Sequence, residues 1–151
     1  MEIETNAVDT TCRPLSPAQA PVIARADPTD AVAKFHAASP PSAIVYCEGN
    51  FAKIDGKTAN GLVRHSEAYH ILSIIDSTLD GHDSGMVLDN AKNQIPIFGH
   101  LKAAVASEAT IPDTLIYGMA PSTGRLSPSD RGVVLEAIGF GMNIVSGLHE
   151  Y

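Results

Sequence analysis

AIVYCEGNFAKIDGKTANGLVRHSE, residues 43–67, opens on a short apolar run and closes in a helical pattern. Ala43–Cys47 has the β-branched, uninterrupted apolar character of a strand buried on both faces. Ala59, Leu62 and Val63 then recur at helical spacing within Thr58–Ser66. The connection carries Gly56-Lys57-Thr58, which reads like the end of a phosphate-binding loop. A Walker A loop needs G-x-x-x-x-G-K-[ST], and the position of its first glycine is Phe51; Gly49 lies two residues too early. The dinucleotide pattern G-x-G-x-x-G is missing as well. What remains is physical. A strand runs into a helix whose first turn offers unpaired N–H groups, a positive dipole end and Lys57. Either Lys57 and Thr58 hold a phosphate or carboxylate, or Thr58 caps the helix and Lys57 is solvated.

The alternation continues along the chain. Tyr69–Asp76, Ile95–Phe98, Asp113–Met119 and Asn143–Gly147 are strand candidates; Leu101–Glu108 and a segment from Ser127 to about Gly139 are helical ones. Ser127 is placed to cap the last helix, with Pro128 at its first turn. Strands alternating with helices predict βαβ units and an α/β, Rossmann-like three-layer sandwich on a mostly parallel sheet of about five strands. That domain spans residues 42–151. Residues 1–41, rich in Pro, Ala, Thr and Asp, form a leader, with a short helix expected over Asp30–Ala38.

The bulk numbers agree with one globular domain. The chain has 151 residues, 44% of them hydrophobic, and a net charge of −7, which disfavours a nucleic-acid partner. It has two cysteines, neither expected in a disulfide; Cys47, inside the apolar run, reads as a buried strand residue. The first residues lack the apolar core of a signal peptide, and no run is long enough to cross a membrane, so a cytoplasmic location is expected.

In an open parallel sheet, ligands bind beyond the carboxyl ends of the strands, where strand order reverses. Four loops qualify, over Gly49–Lys57, Ser77–Met86, Ala120–Ser127 and Gly147–Tyr151. With the usual strand order, the first and third flank the reversal. The first offers Gly49, Lys57 and Thr58. The third offers Ser122, Gly124 and Arg125, small residues beside a guanidinium, either an anion site or a plain surface turn. Asp76, ending the second strand, either meets ribose hydroxyls or caps the next turn. Asp80, His82 and Asp83 crowd the second loop, but their spacing fits neither a zinc nor a calcium signature, and no metal is expected. His149 beside Glu150 is either an acid–base pair or a surface pair.

KTANGLVR (Lys57–Arg64), IIDSTLDGHDSG (Ile74–Gly85), IPIF, LIYGMAPSTGRL (Leu115–Leu126) and VSGLHEY (Val145–Tyr151) occur in a telling order. Over about Ala43–Tyr151 the chain resembles the N-terminal Rossmann-like domain of the domain-of-unknown-function 1611 family, bacterial and archaeal proteins that include D-glutamate N-acetyltransferases. Thr123-Gly124 stands where the family tends to have a glycine pair, which implies less close backbone approach to a ligand there. The resemblance implies acetyl-CoA-dependent transfer of an acetyl group to the amine of a D-amino acid. It also implies a following P-loop domain as partner, supplied elsewhere, for the chain to act. In that setting His149, helped by Glu150, is expected as the base. Lys57 with Thr58, and Ser122 with Gly124 and Arg125, are expected as anion contacts. The competing expectation is a non-catalytic nucleotide- or CoA-binding module that forms homo-oligomers through its open edges or leader.

Overall fold

The computed structural model describes residues 39–148. The expected leader helix, His149 and Glu150 lie outside them. The elements all fall in the second of two units, Ser39–Tyr151. In chain order they are β1 (Ser42–Tyr46), α1 (Lys57–His65), β2 (His70–Ile75), α2 (Ser84–Asp89), β3 (Ile97–Phe98), α3 (Leu101–Ala106), β4 (Thr114–Tyr117), α4 (Pro128–Gly139) and β5 (Asn143–Val145).

The strands form one sheet in the order β3-β2-β1-β4-β5, and each adjacent pair is parallel. This is the expected α/β, Rossmann-like architecture. Alternation along β1 sends Ala43, Val45 and Cys47 to one face and Ile44 and Tyr46 to the other. The first face packs with Ile74, Ile97, Ile116 and Ala59, under Leu62 and Val63 of α1 and Val87 and Leu88 of α2. The second packs with Ile75, Leu115, Leu101, Ala104 and Ala137, under α3 and α4. Residues 43–47 are 0–3% exposed, as a continuous apolar run predicts for a central strand covered on both sides. Ser42 fastens β1 to the start of β4. Its backbone N–H and hydroxyl donate to Asp113 Oδ2 at 2.8 and 2.7 Å.

One helix was not expected. Ser84–Asp89 lies inside the stretch assigned to a ligand loop and its continuation. The Asp83 carboxylate accepts from Met86 N–H to start it, and Asn90, in the left-handed region at φ 54°, ends it. Six residues opening on Ser84-Gly85 carry too little apolar periodicity to show by pattern alone. The short β3 has a further effect. It pairs only Ile74 and Ile75 of β2, leaving the amino-terminal part of that strand without a strand partner on that side among the described residues. A groove of about 740 Å³, lined by Leu62, Tyr69, Leu72, Ile95 and Phe98 among others, runs beside that part of the strand. It lies at the end of the strand remote from the expected ligand crevice.

Candidate functional site at the strand-order reversal

Strand order reverses between β1 and β4, so the loops after these strands frame the crevice where such sheets place ligands. The two loops are tied together on the α1 side. Ala59 N–H donates to Gly118 O at 3.1 Å, and Ala120 N–H to Asp55 O at 3.3 Å. Asn50 Nδ2 reaches Met119 Sδ at 3.2 Å, and Cys47 Sγ lies 3.9 Å from Gly118 O. Gly118 makes this closeness possible, because a Cβ there would lie 2.6 Å from Val45 Cγ1 and 2.9 Å from Ala59 Cβ. One of the N–H groups at the start of α1 is therefore already satisfied by the chain itself.

α1 begins one residue earlier than expected, with Gly56 at its N-cap and no side-chain cap. Thr58 is thus the second helical residue and does not cap the helix. Lys57 and Thr58 are both exposed. Across the crevice Ser122 and Arg125 are exposed too. Among the described residues neither Lys57 nor the Arg125 guanidinium has an ion-pair partner. Gly49 and Gly124 occupy the left-handed region at φ 63° and 66°, with open space where a side chain would project. Four of the residues named from sequence, Gly49 with Ser122, Gly124 and Arg125, therefore lie on the two loops framing the reversal, and Lys57 opens α1 where the first of them ends. Thr58 follows Lys57 into α1.

Asp76 lies near the same end of the sheet but is 0% exposed. Its Oδ2 accepts Phe51 N–H at 3.1 Å, and its Oδ1 accepts Thr78 N–H and Oγ1 at 3.0 and 2.6 Å. These are the bonds of a carboxylate that caps its own turn and braces the first loop. Glu48 works in a similar way, accepting from the backbone N–H and hydroxyl of Ser77. The other acids of the second loop also bond backbone. Asp80 Oδ1 accepts Gly99 N–H at 2.8 Å, and Asp83 accepts Met86, Asn93 and Gln94 N–H at 3.0, 3.2 and 2.9 Å. Among the described residues no group of three His, Cys, Asp or Glu side chains gathers as a metal site. Cys47 is buried, and burial first, then the charges of Asp76 and Glu48, push its thiol up to about 12, which keeps it protonated and unreactive.

Sequence reasoning missed the polar cluster on the other face of the crevice. Asp130, in the first turn of α4, accepts Tyr46 Oη at 2.7 Å and Tyr117 Oη at 3.1 Å. The two phenols end β1 and β4, and their rings lie 5.7 Å apart. Asp130 also completes a capping box with Ser127, accepting Ser127 N–H at 3.2 Å while its own N–H donates to Ser127 Oγ at 3.2 Å. Burial would raise the Asp130 carboxyl, but the hydrogen bonds from Tyr46, Ser127 and Tyr117 outweigh it and hold it below the usual range. Burial and the adjacent carboxylate push both phenols well above the ordinary tyrosine value. The amino terminus of α4 is thus filled by the chain's own carboxylate. The free cationic groups at the crevice are the ones on its rim. S-P-S-D at 127–130 signalled the cap; that Asp130 also meets two strand-end tyrosines depends on contacts remote in sequence.

None of the described helices is long and apolar enough to cross a membrane. No curated protein matches the chain. Among solved structures it is similar to a DUF1611 family protein from Anabaena variabilis, at a TM-score of 0.65 and 26% identity over 75% of this chain. The chain spans 31% of the length of that protein. Residues 77–151 match the family model described as a domain of unknown function (DUF1611_N), Rossmann-like domain, so sequence and fold both liken this chain to the Rossmann-like domain of DUF1611 proteins.

Proposed function

We propose that this domain binds an anionic ligand across the carboxyl ends of β1 and β4, as the ligand-binding part of a D-glutamate-type N-acetyltransferase. The observation that carries the reading is the pair of exposed cations, Lys57 and Arg125, both without ion-pair partners among the described residues and placed on or next to the two stitched loops. Two cations on the rim suit a ligand with several negative groups, such as the phosphates of acetyl-CoA, or one anion together with a substrate carboxylate. Gly49 and Gly124 leave the backbone of both loops open to close approach. Acyl transfer itself needs a base to take a proton from the substrate ammonium and donors for the oxyanion. His149 with Glu150 is the proposed base, and a P-loop domain supplied elsewhere is the proposed partner that completes the site. A second reading is a nucleotide- or CoA-binding module without chemistry of its own. It is favoured by the absence of histidine from both crevice loops, residues 47–56 and 118–127.

Thermal unfolding in the presence of acetyl-CoA, CoA, ATP, NAD and D-glutamate tests both readings, because a ligand of the native state raises the midpoint with its concentration. Acetyl-CoA is expected to stabilise the protein. Lys57→Ala and Arg125→Ala are each expected to weaken its binding roughly tenfold, the loss of about 1.4 kcal/mol from one charge-assisted contact. Stabilisation by CoA or ATP equal to that by acetyl-CoA would favour the module. A response to NAD alone would overturn both.

A further inference from the structure

We infer that the crevice recognises its ligand by negative groups alone and does not read a nucleoside, so that an attached ribose and base add nothing to the binding of a phosphate. The inference rests on the reading that Lys57 and Arg125 hold an anion, and adds what the groups around them refuse. In dinucleotide-binding sheets the loop after the first strand turns its backbone toward a pyrophosphate, and an acid at the end of the second strand takes the ribose hydroxyls. Both parts are present here by position. Both are spent within the chain.

Asp76 directly follows β2, and its two buried oxygens already hold Phe51 N–H, Thr78 N–H and Thr78 Oγ1. A ribose hydroxyl that displaced Phe51 N–H would strand a buried donor, which costs more than the new bond returns. The Phe51 ring is buried as well, in the core cluster of Ala59, Ile74 and Ile116, so the loop cannot lift from Asp76 without exposing an aromatic side chain. Glu48 returns the grip, holding Ser77 N–H and its hydroxyl. Each strand-end acid thus fastens the loop of the other strand. Within the first loop Asn50, Lys53 and Gly56 N–H donate to the carbonyls of Cys47, Asn50 and Lys53 at 3.1, 2.9 and 3.2 Å. With Phe51, four of its amides are therefore turned to the chain and away from a phosphate. The amino terminus of α4 is taken by Asp130. What remains for an anion is side-chain charge on the rim, and that charge grips a phosphate whatever the phosphate carries. Asp55, the other acid of residues 47–56, is exposed, but it stands two residues before Lys57 and not at the end of β2.

Calorimetric titration of the full chain with ATP, inorganic tripolyphosphate and adenosine, in metal-free buffer, tests this. ATP and tripolyphosphate are expected to bind within about threefold of each other, and adenosine to give no signal. Lys57→Ala is expected to weaken both phosphates by the same factor, about tenfold. Asp76→Asn is expected to lower the thermal midpoint of the free protein and leave the ratio of the two affinities unchanged. ATP binding about tenfold or more tighter than tripolyphosphate overturns the inference and leaves the anion crevice standing. Loss of that preference in Asp76→Asn or Asp55→Asn would then name the carboxylate that reads the ribose. If neither phosphate binds while acetyl-CoA does, the inference fails and the proposed function survives. If acetyl-CoA and D-glutamate fail as well, both fall.

Discussion

A methyl group added at Gly118 would press on Val45 and Ala59, the side chains through which β1 and α1 meet the end of β4. Gly118→Ala is therefore expected to cost roughly 2 kcal/mol by overpacking, measurable as a lowered urea midpoint with an unchanged slope. Because Gly118 O also takes the Ala59 N–H, the same substitution is expected to loosen the crevice as well as the core. Gly124→Ala acts differently. No atom is close to its added methyl, so only the left-handed backbone at φ 66° resists it, and a cost near 1 kcal/mol is expected. The contrast was not legible in the sequence, where Gly118 falls near the end of a strand candidate and Gly124 in the loop that follows it. Space around a residue is set by neighbours distant along the chain.

Among the elements, α4 shows most clearly how far local pattern reaches. Ser127, Pro128 and Asp130 mark its start in the sequence, and the capping box is formed. Asp130 also serves β1 and β4, so its loss should exceed that of a simple cap. Ser127→Ala is expected to cost about 1 kcal/mol. Asp130→Ala, which strands two phenol hydroxyls as well, is expected to cost about 2–4 kcal/mol. Equal costs in chemical denaturation would show the tyrosine bonds to be idle. α1 shows the reverse case. Its apolar spacing was plain, yet its first turn carries no side-chain cap, and Gly118 O from β4 satisfies one of its leading N–H groups. α2 escaped notice because its signals are two end residues, Asp83 and Asn90, around a six-residue helix.

At the scale of the whole molecule, the linked carboxylates set an acid limit. Asp130 and Asp83 are held low by hydrogen bonds that outweigh burial, and Asp113 by its bonds from Ser42. A folded-state value below that of the unfolded chain adds stability above about pH 4 and loses it as pH falls further. Stability is thus expected to be flat from neutral pH to about pH 5 and to drop below about pH 4. Asp130→Asn should flatten that drop in part, as followed by circular dichroism during acid titration. At the alkaline end the signs reverse. Tyr46 and Tyr117 are raised in the fold, so the unfolded chain ionises first and stability falls as pH passes about 10. Tyrosinate absorbance should appear in step with unfolding for these two residues.

The alternation of apolar strands with helical segments was enough to determine a parallel, Rossmann-like sheet, because burial on both faces leaves a periodic mark on each segment. It also determined which loops meet, once strand order is taken to reverse between β1 and β4. What only the tertiary structure decided is how those loops use their polar groups. Asp76 turns inward to Phe51 and Thr78, Asp130 fills the start of α4, and Lys57 and Arg125 are left exposed on the rim. A carboxylate or an N–H group carries the same label in the sequence whether bonded or free. Its partner is chosen by packing between segments up to 84 residues apart, and that choice exists only once the chain has folded.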